Sequence, residues 1–432
     1  MQILETRIKH LLTYQELSFR KLMEGLWGVS PADLKRSLDQ LSEQELIKLR
    51  ENGLYYLHGY PEKLRVQDKK CDEIDIAKAM KKADKKIGEF LEGLPLPHLR
   101  DFDWRFSARG IRTFVEHLLR YHVREESICV ISAPTIYGYL RYMNYYPNIT
   151  LIERSERTVE SIRSHFGDAS HVRKHDLQYP WPGHISVLED FSCIVMDPPW
   201  YLDYFEIFLA RALEILSPGG LLHTALFPPF AKTSSIPERA SIQAFAQSRG
   251  LSLIELRSCI IEYKTPVFEK RAMSIGAEVA DDCWRRGDLA TFLQGEKLSK
   301  ERVLIVETEK FEEFEIGKSK FILRKEDPTK EKAYAVPTIE SVEDGSQYLG
   351  NIKRSYALRK EIGLWTSCNQ AFRIEGANLI SLILKGIQNN TPLDNIIMEI
   401  KEKHKIVESK FFTASRKCYG ILKKIIREEE GN

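Results

Sequence analysis

Asp197-Pro198-Pro199-Trp200 places a carboxylate, a rigid carbonyl and a large flat ring within four residues. The run before it, Phe191-Ser192-Cys193-Ile194-Val195-Met196, is short and apolar. That is the pattern of a buried parallel strand stopping at a polar residue. In open α/β sheets, ligands bind at the carboxyl ends of the strands. The two oxygens suit an amino group. An exocyclic amine on an aromatic base is a poor nucleophile, because its lone pair is conjugated into the ring. A carboxylate and a neighbouring main-chain carbonyl that accept its N–H hydrogens hold it with the lone pair aimed at an electrophile. Pro198 lacks an N–H and has a fixed φ, so its carbonyl direction is preset. Trp200 offers a stacking surface for a flat acceptor. The same four residues also make an ordinary strand-ending turn with a packed Trp.

The elements upstream set this tetrapeptide in a sheet. Ser127 to Ser132 reads as a first buried strand, and Ala133 to Gly138 as a turn before a short helix to about Tyr145. Asn148 to Glu153 is a second strand ending in an acid, Arg157 to Phe166 a helix, and His175-Asp176 follows a short polar strand. Strands alternating with helices predict a parallel, doubly wound α/β sheet. Glu153, Asp176 and Asp197 then end the second, third and fourth strands, where a nucleoside-bearing ligand needs acids. Each alone also reads as a solvated strand end.

The D-P-P-aromatic tetrapeptide resembles the catalytic motif of S-adenosylmethionine-dependent enzymes that modify an amino nitrogen. "SAPTIY" at 132–137 resembles the S-T-P-S-L-Y-type turn of eukaryotic DPPF enzymes, which methylate adenine in ribosomal RNA or protein lysine. "HDLQYPWP", "FSCIVMDPPW" and "YFEIFLARALEILSPGG" resemble the bis(aminopropyl)spermidine synthases, which carry a DPP motif behind an N-terminal winged helix. The resemblance spans about Asp101 to Glu269. It implies a Rossmann-like methyltransferase sheet and a cofactor that is S-adenosylmethionine or its decarboxylated form. It implies catalytic roles for Asp197, Pro198, Pro199 and Trp200. Cofactor contacts would come from Ser132, Pro134, Gly138, Glu153 and Asp176, with Glu153 on the ribose hydroxyls and Asp176 on the adenine amine. The chain departs from typical adenine methyltransferases in lacking a G-x-G turn after the first strand. Trp200 departs from the residue usual in the polyamine enzymes.

Downstream, Tyr204 to Leu216 has helical spacing, and Ser217-Pro218-Gly219-Gly220 reads as a turn closing that helix. Leu221 to Phe227 is a fifth strand, and Phe227 and Pro228 at its end are candidates for the substrate mouth or for plain packing. Ile236 to Arg249 is a helix ended by Gly250, and a sixth strand lies within Leu251 to Tyr263. Tyr263 to Glu269 reads as the connection of a terminal hairpin, with Lys264 a candidate contact for phosphate or carboxylate.

Length predicts about three domains. The chain has 64 Lys plus Arg against 62 Asp plus Glu, which excludes a globally polybasic nucleic-acid binder. Seven cysteines (71, 129, 193, 259, 283, 368 and 418) form no C-x-x-C pair, so no metal site is expected, and the unpaired set suits a reducing cytoplasm. No signal peptide or membrane-spanning run is visible.

Residues 1–60 read as a winged helix: helices over Met1–Leu12, Glu16–Leu26 and from Ser30-Pro31 to about Leu41, then a hairpin turning at Asn52-Gly53. Their eight basic and eight acidic side chains cancel, which fits a protein-contact module better than a DNA reader. Residues 61–97 read as a linker whose amphipathic helix, Ile74 to Leu91, packs between domains. The sheet domain is placed at 98–325, with strands at Val303–Val306 and Phe321–Leu323. A polar linker follows at 326–350, and then a small helical domain at 351–432. That domain has helices over Ala377–Gln388, Leu393–Lys405 and from Ser409, and 15 basic against 9 acidic residues. It could contact nucleic acid or a partner protein, or simply be solvated.

Three functions remain open. The first is an N-methyltransferase acting on an amino group, adenine of nucleic acid among the candidates. The second is an aminopropyltransferase making branched polyamines. The third is a non-catalytic binding protein with a degenerate Rossmann domain.

Overall fold

The computed structural model describes residues 2–26, 31–59, 73–122, 124–167, 170–182, 191–274, 282–295, 311–317, 319–325, 335–404, 406 and 408–430. The chain forms two compact units, one of Met1–Leu94, Phe106–Tyr263 and Arg285–Val306, the other of Pro95–Arg105, Lys264–Trp284 and Glu307–Asn432.

The first unit opens with α1 (Gln2–Tyr14), β1 (Leu17–Ser18), α2 (Phe19–Gly25), α3 (Pro31–Glu43), β2 (Ile47–Leu49) and β3 (Leu54–Leu57). The strands form an antiparallel sheet in the order β1-β3-β2. Ile8, Leu12, Leu22, Leu34, Leu38, Leu41 and Ile47 are its core. The hairpin turns at Gly53, whose φ of +80° only glycine takes without strain. The second helix begins at Phe19 and not at Glu16, because Leu17 and Ser18 pair with β3 and the Ser18 hydroxyl caps the helix by accepting the Lys21 N–H (3.3 Å). The expected cap at Ser30 lies outside the described residues.

A seven-stranded sheet follows, built from β4 (Ile128–Ile131), β5 (Ile149–Glu153), β6 (Val172–Lys174), β7 (Phe191–Met196), β8 (Leu216–Leu226), β9 (Leu251–Glu262) and β10 (Arg286–Gln294). Its order is β6-β5-β4-β7-β8-β10-β9. The pairs from β6 to β8 are parallel, and β10 runs antiparallel to both neighbours. β4, β5 and β7 are almost wholly buried, which is why they read as unbroken apolar runs. The helices are α4 (Glu73–Gly93), α5 (Ala108–Leu118), α6 (Pro134–Met143), α7 (Glu156–Phe166), α8 (Leu202–Ile215) and α9 (Ser235–Ser248). This is the Rossmann-like, doubly wound architecture expected of residues after 98. Strand order reverses between β4 and β7, and the crevice at their carboxyl ends is the topological switch point.

Three local expectations change. Ser217 to Gly220 does not form a separate turn: α8 passes directly into β8, and the pairing with β7 slips between Phe191 and Cys193. Gly219 has φ +78°, and its carbonyl accepts from Arg7 Nη1 (2.7 Å), so this irregular stretch seats α1. α4 does not act as a spacer between domains. It packs on α6 within the first unit, where the Phe90 ring fills the space that a Cβ on Gly138 would need (2.2 Å). The terminal hairpin of β9 and β10 exists, but its connection is no tight turn, since it carries α10 (Val267–Ser274) of the second unit.

The second unit also holds β11 (Phe311–Ile316), β12 (Ser319–Arg324), β13 (Thr338–Ser341), β14 (Leu364–Thr366), β15 (Ala371–Glu375), α11 (Ala377–Gln388), α12 (Leu393–His404) and α13 (Ser409–Glu430). The helices match the expected ones. The antiparallel sheet β11-β12-β14-β15-β13 is absent from the sequence expectation, and it draws in residues 311–324 and 338–341, which by sequence read as sheet domain and linker. Phe314, Phe321, Leu364 and Phe372 from the sheet join Leu379, Ile383, Leu422 and Ile425 from the helices in one core. The expected strand at 303–306 and residues 326–334 of the linker lie outside the described residues.

Candidate transferase site

The carboxyl edge of the sheet gathers the predicted acids. Ile131 at the end of β4 accepts the backbone N–H of Asp197 (3.3 Å), which ties the two strand ends at the switch point together. The residue after β4, Ser132, has φ +52°. That is the left-handed conformation a glycine would normally supply, and it costs a non-glycine residue about 1–2 kcal/mol. The turn lacking G-x-G therefore adopts glycine-like geometry anyway. Pro134 opens α6 at its first position, and Ala133 provides no side-chain cap. α6 thus starts just past the carboxyl end of β4, with no side-chain cap from Ala133 on its first N–H groups. Gly138 does not belong with these residues. It lies inside α6 against Phe90, so its small size serves helix packing.

Glu153 ends β5, half-buried, and one carboxylate oxygen accepts the Ser155 N–H (2.8 Å). Asp176, just past β6, accepts the Gln178 N–H (3.0 Å), so an Asx turn orients it. Beside it, His175 stacks on Trp181 (4.7 Å between centroids).

Asp197 is held from the far side of the sheet. Tyr263, just past the end of β9 and 1 % exposed, donates its hydroxyl to Asp197 Oδ1 (2.8 Å). Burial and the Asp197 charge push that phenol well above its ordinary range, so it remains a donor. A bridge between Phe106 and Tyr263, whose rings are 4.8 Å apart, fixes the tyrosine. Trp200 meets the Tyr263 ring edge-on (5.6 Å, 89°), and the Arg285 guanidinium sits 5.0 Å from the Trp200 ring centre. Lys232 donates to the Trp200 carbonyl (2.9 Å) and pairs with Glu238. Gly287 leaves room for this packing, since a Cβ there would lie 3.1 Å from Tyr263. Pro198 is buried, while Asp197, Pro199 and Trp200 are half-buried.

Phe227 is fully buried and packs on Phe205 (5.6 Å), so it is a core side chain under the site rather than its mouth. Pro228 follows it, half-buried. Lys264 is exposed in the second unit, with its N–H bonded to the Arg105 carbonyl. Tyr263, Arg285 and Lys232 escape a reading of the sequence. Tyr263 ends an expected strand beside Lys264, but only the reversal of β10 and β9 beyond β8 shows that it returns to Asp197.

Two acids lie just past the tetrapeptide, on α8. Burial, with Asp203 nearby, raises the Glu206 carboxyl above its usual range.

Residues 102–236 match the model of the family described as "Probable N6-adenine methyltransferase". No curated protein matches the chain. Among solved structures, it is similar to the branched-chain polyamine synthase from Thermus thermophilus in complex with N4-aminopropylspermidine and 5'-methylthioadenosine. That likeness has 14% identity, TM-score 0.43, and covers 70% of this chain and 90% of that one. The C9 mutein of the same synthase gives 15% identity and TM-score 0.44 over the same shares. The N-methyltransferase NodS from Bradyrhizobium japonicum gives 15% identity and TM-score 0.29, covering 44% of this chain and 95% of that one. The family match agrees with the resemblance to S-adenosylmethionine-dependent amino methyltransferases read from the tetrapeptide and its strands.

Proposed function

We propose that this chain is an S-adenosylmethionine-dependent N-methyltransferase whose acceptor is the amino group of a flat base, adenine in nucleic acid being the best fit. The observation that carries this reading is the Asp197 carboxylate. It sits at the switch point, is oriented by the Tyr263 hydroxyl, and stands three residues from a half-buried Trp200.

The cofactor supplies an electrophilic methyl group on a sulfonium. The chain's residues hold it and aim the amine. Glu153 accepts from the ribose hydroxyls, Asp176 meets the adenine amine, and the uncapped start of α6 favours the carboxylate of the methionine part. The second oxygen of Asp197 and the Pro198 carbonyl accept the two N–H hydrogens of the acceptor amine. Tyr263 keeps the first oxygen engaged, so the carboxylate does not rotate away. Trp200 stacks on the base.

Trp200 favours this reading over aminopropyl transfer, since a half-buried indole gives a flat base a stacking surface that a linear amine does not need. Asp203 and the less acidic Glu206 support the second reading, branched-polyamine synthesis, since two acids one turn apart on α8 suit a cationic amine. Titration calorimetry separates the readings. Binding of S-adenosylmethionine supports methyl transfer, preference for the decarboxylated form supports aminopropyl transfer, and binding of neither points to the non-catalytic module.

A further inference from the structure

Below the transferase edge, the same sheet face encloses a cluster of polar side chains. Cys193, Val195 and Asp197 alternate onto one face of β7. His223 of β8 lies opposite Val195, and Thr291 of β10 lies opposite His223. His122, just beyond α5, completes the group. His122 Nε2 and His223 Nε2 are 2.7 Å apart, and one ring nitrogen of each histidine and Cys193 Sγ all lie within 4.8 Å of one another. Cys193 and His223 are 0 % exposed and His122 is 4 % exposed.

The other nitrogen of each ring is already engaged. Glu126 accepts from His122 Nδ1 (2.6 Å), and the Thr291 hydroxyl meets His223 Nδ1 (3.0 Å). An imidazole whose Nδ1–H goes to a carboxylate presents a bare lone pair at Nε2. A carboxylate or hydroxyl behind each ring is the support that metal-bound histidines have. A buried N, N, S donor set suits zinc-class ions, but their bonds of about 2.0 and 2.3 Å put neighbouring donors about 3.3–3.5 Å apart in a tetrahedron, so an ion replaces the 2.7 Å hydrogen bond and spreads the two rings.

We infer that His122, His223 and Cys193 supply three donors to a site for a zinc-class divalent ion whose fourth position is taken by a water, with Glu126 and Thr291 as its outer supports. Binding removes the Cys193 thiol proton to solvent and moves the proton between the rings from His223 Nε2 to its Nδ1. Asp197 is four residues further along β7, about 13 Å at 3.3 Å per residue. The ion is therefore remote from the acceptor amine and acts as a clamp joining α5, β7 and β8. The inference is independent of the proposed reaction. The C-x-x-C rule could not find this site, because its ligands come from three separate elements.

The test uses the full chain, purified under reducing conditions and loaded with zinc or cobalt. Expected results are stoichiometric zinc retained through dialysis, and a cobalt form with thiolate charge-transfer and tetrahedral d–d absorption. Chelation should lower the melting temperature. His122→Gln and Cys193→Ala should each lose the metal, and Glu126→Gln should weaken it about 10–100-fold. The inference is overturned if the folded wild-type chain retains no zinc and melts at the same temperature with zinc or chelator. The rings are then joined by a hydrogen bond alone. A cobalt spectrum without the thiolate band would remove Cys193 and overturn the assigned donor set. Both of these outcomes are measured on the wild-type chain, so they hold even where a variant fails to fold.

Discussion

The two ends of β7 use polar side chains in opposite ways. At the Cys193 end, the polar groups are sealed from water and answer one another: His122 with Glu126 and His223, and His223 with Thr291. Burial above all, with His122, His117 and Arg7 nearby, drives the His223 imidazole well below its ordinary range, so it stays neutral. At the Asp197 end, four residues away, Tyr263 engages one carboxylate oxygen while Asp197 and Trp200 remain half-buried. A closed network holds a fold together. A half-buried one at a switch point lies within reach of a ligand.

The largest expected effect breaks the open end directly. Asp197→Ala should lower transfer by about 10²–10³, as for other positioned polar groups that act in the transition state. S-adenosylmethionine affinity should stay within a few-fold of wild type. Matched rate and calorimetry measurements check this, and an equal loss of affinity would move Asp197 from acceptor to cofactor.

Glu153→Ala should weaken the cofactor about ten- to a hundredfold, because the ribose hydroxyls lose a charged acceptor worth about 1.5–3 kcal/mol. A dissociation constant unchanged in a folded variant would take Glu153 out of the site. Tyr263→Phe should have a smaller effect, lowering kcat by about tenfold with little change in cofactor affinity, since the neutral hydroxyl only orients Asp197. Unchanged kcat would show that Asp197 needs no such support.

The smallest effect extends the closed side of the comparison to the second unit. His98 is fully buried, its Nδ1 accepts the Arg100 N–H (3.1 Å), and burial above all lowers its pKa to about 3. Its folded pKa lies below the unfolded value of 6.5, so the unfolded chain binds the extra proton between those values. Its stabilisation is present above pH 6.5 and is lost as pH falls toward about 3. Urea midpoints should fall between about pH 7 and about pH 4.5, and less steeply in His98→Gln. Equal slopes would assign the loss to other groups.

The readable parts of the chain are those with strong local periodicity. β4, β5 and β7 are buried on both faces, so each appears as an apolar run, and Glu153 and Asp197 stand out where two of those runs stop. What depends on long-range packing is not readable. Tyr263 reaches Asp197 across 66 positions, and Gly138 turns out to serve Phe90. β13 to β15 are three to five residues long and carry mixed polarity, too little to mark a sheet. The Ser217 to Gly220 stretch has turn composition, but α1 lies on it, and Arg7 secures it as an irregular start of β8.

The most direct test of the transferase edge is label transfer by the full wild-type chain. S-adenosylmethionine labelled in its methyl group is offered with adenine-containing RNA and DNA, and decarboxylated S-adenosylmethionine is offered in parallel with spermidine. Label is expected on the adenine amino nitrogen, lost in Asp197→Ala and reduced in Trp200→Ala, whose stacking is worth about 1–3 kcal/mol per base. Aminopropyl transfer to spermidine with no labelled nucleic acid, and normal activity in Trp200→Ala, would contradict base methylation at this edge.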